Sequence, residues 1–115
     1  MDIKIYHNPR CSKSRQTLAL LNDKDLQPTI IEYLNTPPDK SELKNILALL
    51  GLKPRDLMRH KEQVYREMNL DNPDLSDEAL IDAMIQNPIL IERPIVVTNG
   101  KAALGRPPET ILEIL

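Results

Sequence analysis

The strongest constraint on the fold lies in the first third of the chain, where the hydrophobic period switches from two to 3.6 and back. Ile3 and Ile5 alternate with Lys4 and Tyr6, which predicts a strand ending near His7. Asn8-Pro9 breaks it. From Ser12 the run SKSRQTLALLNDK predicts a helix, with Thr17, Leu18, Leu20 and Leu21 on its buried side. Pro28 then introduces TIIEY, a β-branched strand over Thr29–Tyr33. Strand, helix and strand in about 30 residues make a βαβ unit, and such a crossover joins parallel strands.

The middle of the chain is helical. Asn35-Thr36-Pro37-Pro38 is a loop, and Asp39-Lys40-Ser41-Glu42 resembles a capping box opened by Asp39. Leu43, Ile46, Leu47 and Leu50 fall at i, i+3, i+4 and i+7, one face of a helix, and Gly51 is a suitable stop. Pro54–Met68 reads as helix in pieces. Ser76 caps a further helix, with Asp77 and Glu78 in the first turn and Leu80, Ile81, Met84 and Ile85 on its apolar side. The last third returns to strands. Pro94–Thr98 and Lys101–Leu104 flank Asn99-Gly100, a strong two-residue hairpin signal. Pro107-Pro108 then opens a final helix expected to turn Ile111, Leu112 and Leu115 inward.

The resulting order is βαβ, a helical insert at about residues 39–88, then ββα. That is the order of an α/β thioredoxin-like fold, a four-stranded mixed sheet with helices on both faces. A chain of 115 residues is expected to make one domain, 1–115. The core must be aliphatic, because the chain has no Phe or Trp and three Tyr. A net charge of −2 argues against nucleic-acid and acidic-membrane partners. The N-terminus lacks the apolar run of a signal peptide, and no stretch approaches the ~20 apolar residues of a membrane span. A cytoplasmic, reducing compartment is therefore expected.

In that compartment the single cysteine matters most. One Cys forms neither an internal disulfide nor a multi-thiolate metal site. Cys11 is thus either an inert core residue or a reactive thiol. It stands where the first strand gives way to a helix, and unpaired N–H groups at a helix start lower a thiol pKa. Arg10, Lys13 and Arg15 crowd its flanks and favour thiolate further. Ser14 replaces the second cysteine of a C-x-x-C pair. It can donate a hydrogen bond to a thiolate but cannot resolve a mixed disulfide.

Arg93 and Arg106 each precede a proline, so both sit on extended backbone flanking the final hairpin. They are either solvated surface arginines or anion ligands. Arg59 lies in a basic cluster with Arg55, His60 and Lys61, which reads equally well as a solvated helix face. His7 and His60 are the only histidines, poor support for a metal site, and no phosphate-binding glycine loop is present. No bound cofactor is expected. The residues taken alone lead to a reactive monothiol with arginines suited to an anion.

Taken together, Tyr6-His7-Asn8-Pro9-Arg10-Cys11-Ser12-Lys13-Ser14-Arg15, Leu57-Met58-Arg59, Ile91-Glu92-Arg93-Pro94-Ile95-Val96-Val97 and Gly105-Arg106-Pro107 resemble the glutaredoxin-dependent arsenate reductases of the ArsC family. The chain is similar to the short branch of that family, which lacks a C-terminal extension. The resemblance implies a thioredoxin-like fold with a helical insert and Cys11 as nucleophile. Arg59, Arg93 and Arg106 would be the catalytic, oxyanion-binding arginines, with His7 and Ser14 helping to hold Cys11 as thiolate. It further implies reduction of arsenate to arsenite, for arsenic detoxification, with glutathione and glutaredoxin supplying electrons. Two alternatives stand beside it: an Spx-like regulator that binds RNA polymerase, and a glutathione-linked thiol oxidoreductase with another substrate.

Overall fold

The structure, a computed structural model, describes residues 2–115. They form two compact units, one made by the chain up to Thr36 together with Arg93–Leu115, the other by Pro37–Glu92.

The first unit holds the sheet. Its strands are β1 (Ile3–Tyr6), β2 (Thr29–Ile31), β3 (Ile95–Thr98) and β4 (Lys101–Leu104), in spatial order β2-β1-β3-β4. β1 runs parallel to β2 and antiparallel to β3, and β3 pairs antiparallel with β4. The sheet is mixed, and the expected crossover is made by α1 (Ser12–Asp23). Ile5 faces Val96 across one ladder and Val96 faces Ala103 across the next, so one apolar row crosses three strands. Leu21 of α1 and Ile111 and Ile114 near the C-terminus pack against it. Asn99 and Gly100 close the hairpin with φ of 55° and 69°, the left-handed pair a tight two-residue turn needs.

Two expectations in this unit give way. β2 ends at Ile31, not Tyr33, because the backbone turns there: the N–H groups of Asn35 and Thr36 both donate to the Glu32 carbonyl, at 3.0 Å each. Tyr33 is buried in that turn at 1% exposure. The last helix, Pro108–Ile114, is a 3₁₀-helix rather than an α-helix. Three residues per turn align Pro108, Ile111 and Ile114, all buried, and leave Leu112 exposed at 39%. Leu115 is half-buried, so Ile114 takes the inward place expected for Leu112.

The second unit is helical, with α2 (Lys40–Leu50), α3 (Gln63–Glu67) and α4 (Asp77–Gln86) joined by 3₁₀ turns at Pro54–Leu57 and Pro88–Leu90. The expected caps form. The Asp39 carboxylate accepts from the Glu42 N–H at 2.7 Å, Ser76 Oγ accepts from Ala79 N–H at 3.1 Å, and Gly51 stops α2 with φ 68°. Leu43, Ile46 and Leu47 form the buried side of α2, with Leu50 at its margin. On the surface Glu78 accepts from Lys40 and Lys44 at 2.6 and 2.7 Å, which holds its carboxyl down at about 2. Among the described residues no helix is long and apolar enough to cross a membrane.

Candidate active site

Cys11 is the residue before α1, in extended backbone with φ −94° and ψ 124°. A short loop delivers it there. The Cys11 N–H donates to the Asn8 carbonyl and the Arg10 N–H to Asn8 Oδ1, both at 3.0 Å. The Cys11 carbonyl then accepts from Arg15 N–H, the first bond of the helix. The thiol is half-buried, and burial alone pushes its pKa up. The backbone N–H of Ser14, the Arg93 side chain, the Lys13 N–H and the Arg93 charge act the other way and prevail, so Cys11 sits below its ordinary value.

Arg93 is the cation that matters. It is 8% exposed, not solvated, and its guanidinium hydrogen-bonds the thiol. It comes from the residue before β3, and Arg106 from the residue after Gly105 at the far end of the hairpin. Both Arg93-Pro94 and Arg106-Pro107 are cis. Arg106 Nη1 stands 3.9 Å from Cys11 Sγ and donates to the Arg93 carbonyl at 3.0 Å. The hairpin thus carries two guanidiniums to one sulfur. Gly105 permits this approach: a Cβ there would meet Thr17 Oγ1 of α1 and lie 2.7 Å from Pro94 Cγ. The cations beside Cys11 in sequence do not fill the role expected of them. Arg15 instead donates to the Pro9 carbonyl at 3.0 Å, and Arg10 is exposed.

His7 and Ser14 lie beneath the thiol loop, both buried. Ser14 Oγ accepts from the Asn8 N–H at 3.0 Å and lies 2.6 Å from His7 Nδ1. Burial lowers the His7 pKa first of all, with Glu32 opposing and Arg15 adding to the fall. The short bond joins Ser14 Oγ to Nδ1, and the proton in it belongs to whichever tautomer the ring takes, so Nε2 is the ring nitrogen outside the pair. Ser14 Oγ is thus held between His7 and Asn8, and the Ser14 backbone N–H bonds the thiol. Asn8 was not singled out from sequence. Its buried carboxamide and N–H hold the loop together, and an Asn before a Pro gives little warning of that.

Arg59 belongs to the second unit. There Met58 and Ile91 form an antiparallel bridge, with Arg59 N–H donating to Leu90 O at 2.7 Å and Glu92 N–H to Leu57 O at 2.8 Å. Arg59 Nε pairs with Glu62 at 3.0 Å and Nη1 with Glu92 at 2.8 Å. Burial opposes its charge, but the two carboxylates prevail and raise its pKa. The expected solvated face is thus a clamp. Arg55 is engaged too, donating to Tyr65 Oη, Leu70 O and Asn72 O, while the His60 ring stacks on Tyr65 at 4.8 Å.

The ArsC family model matches residues 6–114, nearly the whole chain. The chain belongs to the ArsC family. Among its ArsC relatives, the uncharacterised protein YfgD of Escherichia coli (strain K12) is 57% identical over 114 residues, covering 98% of this chain and 96% of YfgD. An arsenate reductase of Haemophilus influenzae is 52% identical over 116 residues, covering all of both chains. The solved structure of an arsenate reductase from Vibrio cholerae superposes with a TM-score of 0.98 at 56% identity, covering 100% of this chain and 98% of that one. The ArsC fold is the thioredoxin-like mixed sheet described above.

Proposed function

We propose that this ArsC protein reduces arsenate to arsenite, with Cys11 as the nucleophile and thiols supplied from outside the chain. One observation carries the reading: a half-buried thiol whose pKa is lowered by the buried Arg93 and two backbone N–H groups, with Arg106 3.9 Å from the sulfur. Arsenate is a tetrahedral anion. It repels a thiolate unless its charge is offset, and guanidinium forks suit its oxygens. Arg93 and Arg106 can bind such an anion over the sulfur, beside the positive end of α1. Arg59 is assigned to the same oxyanion on the family resemblance.

The Cys11 thiolate attacks arsenic and hydroxide leaves, protonated to water, giving a Cys11–S–As(V) adduct. A glutathione thiol adds to the arsenic in turn. Overall, arsenate and two thiols yield arsenite, one disulfide and water; arsenic gains two electrons and each sulfur gives up one. Cys11 has no second cysteine beside it, so the resolving thiols are glutathione and glutaredoxin. Such a cycle suits the cytoplasm, where those thiols are kept reduced.

The test is NADPH oxidation coupled through glutathione reductase, glutathione and glutaredoxin, omitting one component at a time. Turnover that requires arsenate, glutathione and glutaredoxin together supports the reading. Turnover of a glutathionylated thiol without arsenate would assign the protein to a general thiol reductase instead.

A further inference from the structure

Beside the thiol loop lies a concave site of about 280 Å³, lined by His7, Asn8, Pro9, Arg10, Glu32, Leu34 and Asn35. It opens at the carboxyl ends of β1 and β2, the parallel pair, which is where open α/β sheets hold ligands. Its wall includes the three residues immediately before Cys11. Neither the Arg10 nor the Glu32 side chain makes an ion pair or hydrogen bond among the described residues, and both are exposed at the rim.

The donors and acceptors of this wall are already sorted. Asn8 Oδ1 is taken by the Arg10 N–H, which leaves the Asn8 NH₂ as a donor. His7 Nδ1 is taken by Ser14, which leaves Nε2 as the ring nitrogen outside that bond. Arg10 adds a guanidinium, and Glu32 supplies the one carboxylate. Donors on one side and an acid on the other match a carboxylate and an ammonium on a single carbon.

We propose that this site binds the zwitterionic α-amino-acid end of the thiol co-substrate, the γ-glutamyl end of glutathione, with Arg10 on its carboxylate and Glu32 on its ammonium. The proposal rests on the glutathione-dependent reading above. A free amino acid shares the recognised chemistry, but cysteine's thiol is two bonds from its α-carbon. The γ-glutamyl stem sets the thiol well away, which suits a site beside Cys11 rather than upon it.

The experiment is titration of the full chain with S-methylglutathione, which cannot react, followed by amide NMR. Saturable shifts are expected at His7–Arg10 and Glu32–Asn35. Arg10→Ala and Glu32→Gln should each weaken binding about fivefold, the scale of one exposed charged contact. N-acetyl-S-methylglutathione, which lacks the ammonium, should bind about fivefold more weakly to the wild type. To Glu32→Gln it should bind as S-methylglutathione does. No saturable shift at these residues, or an equal loss on acetylation in both proteins, overturns the proposal. S-methylcysteine binding as tightly as S-methylglutathione would also overturn it, in favour of a free amino acid. No arsenate is present, so an occupied pocket on an enzyme inactive toward arsenate is separable from an empty pocket on an active one.

Discussion

At Cys11 burial favours the neutral thiol, while Arg93 and the N–H groups of Ser14 and Lys13 favour the thiolate. Replacing Arg93 with Met removes both a hydrogen bond and a charge. The pH midpoint of Cys11 alkylation should rise in Arg93→Met and move less in Arg106→Met, whose guanidinium stands 3.9 Å from the sulfur. An unmoved midpoint in Arg93→Met would leave the helix start as the sole cause. His7 titrates below its ordinary 6.5. The unfolded chain therefore takes up this proton first as pH falls, so His7 costs stability below 6.5 and nothing above it. Glu32 raises the His7 pKa, so Glu32→Gln should lower it further, which an NMR titration of the ring reads directly. A rise would contradict the placement of that carboxylate near the ring. Residue identities pointed to Cys11, Arg93 and Arg106, but not to their division of labour. Burial of Arg93 and the bond between Ser14 and His7 depend on contacts made across the fold, which adjacency along the chain does not encode.

Strands, caps and the hairpin were legible because each has a local cause: alternation in β1, Asp39 and Ser76 before helices, and Asn99-Gly100 between strands. The last helix was legible only as a helix. ETILEIL offers apolar residues at both 3.0 and 3.6 spacing, and tertiary packing selects between them. Thr110 N–H bonds to Pro107 O and Leu115 N–H to Leu112 O, both three residues back. This distinction has an energetic consequence. Ile114→Ala should cost about 2–5 kcal/mol in urea unfolding, as core truncations do, whereas Leu112→Ala should stay within about 0.5 kcal/mol. Equal costs would contradict the 3₁₀ alignment. Gly105 belongs to this scale as well, since only a residue without Cβ lets β4 end against Thr17 and Pro94.

For the whole molecule, a net charge of −2 coexists with cations gathered at one sulfur. Arg93 and Arg106 act on Cys11 over a few ångströms, a range on which the net charge has no bearing. In the proposed reaction the lone cysteine sets the stoichiometry: a two-electron reduction needs two thiols, and one chain offers one. The ArsC family membership was carried by four short runs of sequence, each unremarkable alone. The most direct test of the account is arsenite formed from arsenate by the wild type and by Cys11→Ser, with glutathione and glutaredoxin present and arsenite measured chemically. Arsenite should accumulate over many turnovers with the wild type and fall to the protein-free background with Cys11→Ser. Undiminished arsenite from Cys11→Ser would contradict the account, because the serine hydroxyl leaves no thiolate at the start of α1.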